Sequence, residues 1–104
     1  MALNGKERAY LRAEANGLDS EMHIGKGDIT PNTYTEVADL LRTRELLKIT
    51  VLRTAHISAR EIADTLAKEL DAAVVQVIGR KIVLYKFSEE LAKKGKTKYF
   101  LDNA

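Results

Sequence analysis

Gly25-Lys26-Gly27-Asp28 is the one stretch of this 104-residue sequence whose residue types and spacing assemble chemistry in a single place. Glycines let a backbone approach a phosphate closely, and the helix expected to begin near Pro31 adds N-terminal amides as donors. Lys26 supplies a cation that can reach the same phosphate. Such a loop holds an anion; it does not react with one. Taken alone, two glycines around a lysine between a strand and a helix are more often just a turn, because glycine is the default turn residue. Asp28 cuts both ways. Aspartate tolerates a left-handed backbone, but its carboxylate would repel a phosphate at short range, and it could instead cap the helix that follows.

Constellations for catalysis are missing. His23 and His56 are the only histidines and lack ligand spacing to each other. The chain has no cysteine, which excludes a disulfide framework, a cysteine-based zinc site and a thiol nucleophile together. Neither a nucleophile elbow, a Walker sequence nor a dinucleotide fingerprint is present, and Glu89-Glu90 reads as surface charge. The expectation is a non-enzymatic protein without metal or cofactor. The remaining candidates are cations. Lys6, Arg8 and Arg12 fall on a first helix, where positions 8 and 12 are one turn apart and Lys6 is offset. Arg80 and Lys81 project from a hairpin. With Lys26 they would form a surface that tracks phosphates; singly, each reads equally well as a solvated cation. Arg44-Glu45, at the end of a helix, suits a structural link. Tyr10, Tyr34 and Tyr85 fall on core-facing positions, whereas Tyr99 and Phe100, beside Lys96 and Lys98, either stack on bases or dock the tail on the domain.

The formal net charge of +2 is too small to name a partner, but its distribution is uneven. Residues 72–104 carry seven bases and three acids, net +4, while residues 13–41 carry Lys26 against six acids, net −5. That segregation gives potential for a basic face where a polyanion would dock, although a lysine-rich end can also be a solvated tail. No apolar run reaches signal-peptide or membrane-span length, so the chain reads as a soluble cytoplasmic protein, with no membrane partner.

Elements to position these residues are legible. Asn4 and Glu7 form a capping-box pattern before a helix over residues 5–15, stopped by Asn16-Gly17. Met22-His23-Ile24 is a brief strand leading into the glycine loop. Thr30 caps a second helix with Pro31 at its first position, and Tyr34, Val37, Ala38 and Leu41 make its apolar stripe. Leu47, Ile49 and Val51 alternate as a strand. Ser58-Ala59-Arg60-Glu61 reads as a capping box opening a third helix. Residues 73–78 and 82–85 flank Gly79-Arg80, which favours a type II′ hairpin with Arg80 at its tip. Ser88-Glu89-Glu90-Leu91-Ala92 could start a short helix. The order α-β-α-β-α-β-β predicts a single compact α/β domain, a four-stranded mixed sheet with packed helices, over residues 1–87. A basic C-terminal tail occupies 88–104.

Four blocks carry a wider resemblance. They are Leu3-Asn4-Gly5-Lys6-Glu7-Arg8-Ala9-Tyr10-Leu11-Arg12-Ala13, Ile24-Gly25-Lys26-Gly27, Arg44-Glu45-Leu46-Leu47-Lys48-Ile49, and Val75-Gln76-Val77-Ile78-Gly79-Arg80-Lys81-Ile82-Val83-Leu84-Tyr85. In this order and spacing the sequence resembles the bacterial YhbY family, the stand-alone form of the CRM domain (chloroplast RNA splicing and ribosome maturation). The resemblance implies a fold similar to the C-terminal domain of translation initiation factor three, binding to structured RNA, and association with precursors of the large ribosomal subunit. The family's loop is usually written G-K-x-G. Asp28 stands where the final glycine would be, so the loop's role transfers to Gly25, Lys26 and Gly27 alone. The expected partner is ribosomal RNA, bound by a monomer through the glycine loop and the basic surface. The rival readings are a protein-interaction module without direct RNA contact and a nucleotide-handling enzyme that uses the loop.

Overall fold

In the computed structural model, which describes residues 2–99, α1 (Gly5–Ala15) opens with a reciprocal cap. Asn4 Oδ1 accepts the Glu7 N–H at 2.8 Å and the Glu7 carboxylate accepts the Asn4 N–H at 3.0 Å, satisfying two donors that a helix start leaves open. Strand β1 (Met22–Ile24) leads into the glycine loop, and α2 (Pro31–Arg44) follows it. Then come β2 (Leu46–Val51), α3 (Ala59–Leu70), β3 (Ala73–Ile78), β4 (Lys81–Tyr85) and a short α4 (Glu89–Lys93). The expected box at the start of α3 is only half made. Ser58 Oγ accepts the Glu61 N–H at 3.1 Å, but the return bond is not formed.

The four strands make one mixed sheet in the order β1-β2-β4-β3, with β1 parallel to β2 and the other two pairs antiparallel. The hairpin inserts β4 at the centre, which explains its run of buried residues from Ile82 to Tyr85. β3 is left at the edge, with a register shift between Val74 and Gln76.

Alternation along the strands sends side chains to two separate cores. Leu47, Ile49, Val51, Ile82 and Leu84 face α2 and α3, where Val37, Leu41, Ile62, Ala63 and Leu66 close the layer. Leu46, Val75, Val83 and Tyr85 face the other way, onto Leu11 and Ala15 of α1, and Tyr99 joins this second cluster. The molecule is therefore three layers: α1, the sheet, and the α2/α3 pair. No described helix is long and apolar enough to cross a membrane.

The chain after β4 is pinned to the end of α2. Glu45 ends that helix at φ 66° and is fully buried. Its Oε2 accepts the Ser88 N–H at 2.9 Å, while the Ser88 hydroxyl donates to the Arg42 carbonyl at 2.7 Å. Arg44 pairs with Glu21 at 3.2 Å, so the Arg44-Glu45 dipeptide is a structural link in both directions. Lys86 Nζ donates to the Leu70 carbonyl at 2.7 Å, serving an orphan acceptor at the end of α3.

Candidate nucleic-acid interface

Because β1 and β2 run parallel, both release the chain at the same end of the sheet, and the β3–β4 turn lies at that end too. Three loops meet there, and hydrogen bonds stitch them together. The Val51 N–H donates to the Arg80 carbonyl at 2.7 Å and the Leu52 N–H to the Ile24 carbonyl at 2.7 Å. The Lys26 N–H donates to Thr54 Oγ1 at 3.2 Å. Asp28 Oδ1 accepts the His56 N–H at 2.6 Å, and Asp28 Oδ2 lies 3.4 Å from His56 Nδ1.

Within the glycine loop each residue is constrained differently. A Cβ on Gly25 would sit 2.7 Å from Thr54 Oγ1 and 3.1 Å from Leu52 Cδ1, so only glycine lets the two loops pack this closely. Gly27 adopts φ 97°, and Asp28 adopts φ 50°, the left-handed region that aspartate tolerates better than most residues. The Asp28 carboxylate does not cap α2; Thr30 does. It is turned toward the α3 side of the loop cluster and occupied by the His56 amide.

The donors available to an anion are fewer than the sequence suggests. Pro31 has no N–H, and the Thr33 amide is already taken by Thr30 Oγ1 at 3.3 Å. The Lys26 amide is used by Thr54, and the Asp28 amide donates to the Gly25 carbonyl at 2.9 Å. Gly25 and Gly27 retain N–H groups without an intramolecular partner among the described residues. The cap takes the Thr33 amide but leaves that of Asn32 open among the described residues, and the loop offers glycine amides beside the exposed Lys26 side chain.

Gly79 takes φ 56° while Arg80 stays outside the positive region, as a type II′ turn requires. Arg80 is exposed at the tip. Lys81 alternates with Ile82, so it points to the α1 face of the sheet, where its Nζ donates to Thr50 Oγ1 at 3.0 Å. Thr50 also meets the Ser20 hydroxyl. The cross-strand row His23, Thr50, Lys81 and Ile78 therefore lies on that face, and Ile78 is 62% exposed.

The structure brings Gly25, Lys26, Gly27, Arg80 and Lys81 to one end of the sheet. Lys6, Arg8 and Arg12 are on α1, which covers the face that Lys81 shares. Glu7, Leu11 and Ala15 are the buried positions of that helix. By helical spacing Arg8 and Arg12 fall on one flank, and Tyr10 and Glu14 on the other. No hydrogen bond or ion pair among the described residues links Arg8 or Arg12 to the three loops. Tyr99 is buried in the α1-side core, where burial pushes its hydroxyl pKa up, with Glu14, Tyr10 and Glu45 adding to the shift. It docks the tail and presents no stacking face; Phe100 lies outside the described residues. Thr54 and His56 clamp the loop and carry no local sequence signal, since each is 28 residues from its partner. Among the described residues there is no group of three or more His, Asp or Glu side chains that could hold a metal ion.

Comparison with known proteins bears on the family and the fold. The chain is 38% identical over 88 residues to the Probable RNA-binding protein YqeI of Bacillus subtilis, covering 85% of this chain and 92% of that one. It is 31% identical over 88 residues to an RNA-binding protein of Haemophilus influenzae, covering 85% and 89%. The solution structure of the hypothetical protein SAV1595 of Staphylococcus aureus, a candidate RNA binder, superposes with a TM-score of 0.72. It has 40% sequence identity over 85% of this chain and 92% of that one. The model of the CRS1/YhbY (CRM) domain matches residues 3–86. Those residues take in every strand and the whole loop cluster, and the chain belongs to the CRS1/YhbY (CRM) domain family.

Proposed function

We propose that this chain is a non-catalytic RNA-binding protein that acts on ribosomal RNA during assembly of the large ribosomal subunit. The observation that carries the reading is the convergence of the glycine loop and the hairpin tip at one end of the sheet, with Lys26 and Arg80 exposed on loops that are each bonded to the segment leaving β2. In this reading the Gly25 and Gly27 amides and the Lys26 ammonium hold one phosphate, and Arg80, Lys81, Arg8 and Arg12 engage neighbouring ones. Lys6 joins them from the first turn of α1. Contacts of this kind fix RNA position and register and read little base sequence. The names of the relatives and the family's tie to ribosome maturation support the choice of RNA and of the large subunit.

A groove at the opposite end of the sheet supports a second reading, a protein-docking surface. It has a volume of about 830 Å³ and is lined by residues including Arg42, Lys86 and Glu90, together with Phe87, which is 37% exposed. Ultraviolet cross-linking of the tagged chain in cell extract distinguishes the two. The RNA reading expects cross-linked peptides spanning 25–28 or 79–81 and RNA fragments from large-subunit precursors. Cross-links to protein at Phe87 with no RNA recovered would replace it with the docking reading.

A further inference from the structure

We infer that Arg53 is a further phosphate-contacting residue of this interface; the inference rests on the RNA reading above. Its place in the fold is unusual. Leu52 is bonded through its amide to the Ile24 carbonyl, and Thr54 accepts the Lys26 amide. Arg53 therefore sits between two residues tied to the glycine loop, on the segment that joins β2 to α3. It is exposed. Its neighbour Leu52 is 42% exposed and packs against Gly25. The backbone around Arg53 is thus held from both sides while the guanidinium is left in solvent.

Ion pairing divides the arginines of the molecule into two sets. Arg42 pairs with Glu90 at 2.7 Å, Arg44 with Glu21 at 3.2 Å and Arg60 with Asp64 at 3.5 Å. Among the described residues Arg8, Arg12, Arg53 and Arg80 have no carboxylate partner. Three of these four are candidates from the sequence. Arg53 is the fourth, and it lies on the same three-loop end as Lys26 and Arg80. An unpaired guanidinium on a fixed backbone suits a phosphate: its planar fork matches two oxygens, and no internal carboxylate has to be displaced first. The ligand is RNA backbone, contacted by a third loop.

The test measures binding of a labelled stem-loop RNA to the full chain across a salt series. Arg53→Ala is compared with the unaltered chain and with Arg60→Ala, an exposed arginine whose charge is already paired. Arg53→Ala is expected to weaken binding roughly three- to tenfold and to reduce the salt slope by about 0.7–0.9, one phosphate's share. Arg60→Ala should match the unaltered chain in both, and Arg53→Lys should restore the slope. If Arg53→Ala binds with unchanged affinity and slope while the unaltered chain binds RNA, this inference fails and the RNA reading stands. If Arg60→Ala weakens binding as much, total charge and not placement is responsible, and the inference again fails. If the unaltered chain binds no RNA, the RNA reading falls and Arg53 with it.

Discussion

Alanine at Gly25 must push Thr54 or Leu52 aside, because its Cβ would meet Thr54 Oγ1 at 2.7 Å. Alanine at Gly27 meets open space but has to hold φ 97°, which costs about 1 kcal/mol. The two glycines are needed for different reasons. Asp28 combines a left-handed backbone with the acceptor for the His56 amide. Asp28→Ala is expected to lower stability by about 1–2 kcal/mol in urea unfolding, since it loses that bond and keeps the strain. Asp28→Gly loses the bond but relieves the strain, so it should cost less. Equal losses would show that the backbone conformation contributes nothing. Among the described residues Lys26 bonds through its amide alone, and its side chain is exposed. Lys26→Glu should therefore leave stability within about 0.5 kcal/mol of the parent, with the thermal midpoint nearly unchanged, while RNA affinity drops at least tenfold; an unchanged affinity would take the loop out of the interface. Gly25, Lys26 and Gly27 stand out as candidates in the sequence because two glycines around a cation are a local signal. Thr54 and His56 were not, because the chain's topology alone brings them to the loop.

At the scale of elements, capping and turn chemistry made the helices and the hairpin legible. Asn4, Thr30 and Ser58 each sit at the cap where their side chains predict a helix start, and Gly79 takes the positive φ its turn needs. What the pattern could not supply was the place of β4 at the centre of the sheet, since strand order depends on contacts between distant segments. That central position buries Tyr85 completely, and its hydroxyl has no hydrogen-bond partner among the described residues. Burial pushes the phenol up to about 12, and the nearby Glu45, Glu7 and Tyr10 add to the shift. A folded-state pKa above the unfolded value of about 10 means the folded chain holds the proton more tightly. Stability is then unaffected below about pH 10 and falls as pH rises from about 10 toward 12. Tyr85→Phe removes both the unpartnered hydroxyl and this titration. It should be at least as stable at neutral pH, by up to about 1 kcal/mol, and should show a flatter alkaline unfolding profile. A loss of several kcal/mol at neutral pH would mean the hydroxyl has a partner after all.

For the whole molecule the question is whether RNA answers to total charge or to its placement. The formal net charge is only +2, so long-range attraction to a polyanion is weak and the arrangement of cations must do most of the selection. Arg80 and Lys81 stand at the three-loop end, whereas Lys93 and Lys96 follow β4 at the opposite end of the sheet, and all four are exposed. Reversing either pair to glutamate changes the charge by four units, from +2 to −2. A molecule that binds RNA by net charge would respond equally to both double variants. One that binds through the loop end would not. Arg80→Glu with Lys81→Glu is expected to weaken RNA binding by about a hundredfold or more. It should also lower the salt slope by roughly 1.4–1.8, the share of two phosphates. Lys93→Glu with Lys96→Glu should keep the parent slope and lose only a few-fold in affinity. Equal slopes for the two double variants would move the tail lysines into the binding surface, and the hairpin tip would lose its special standing.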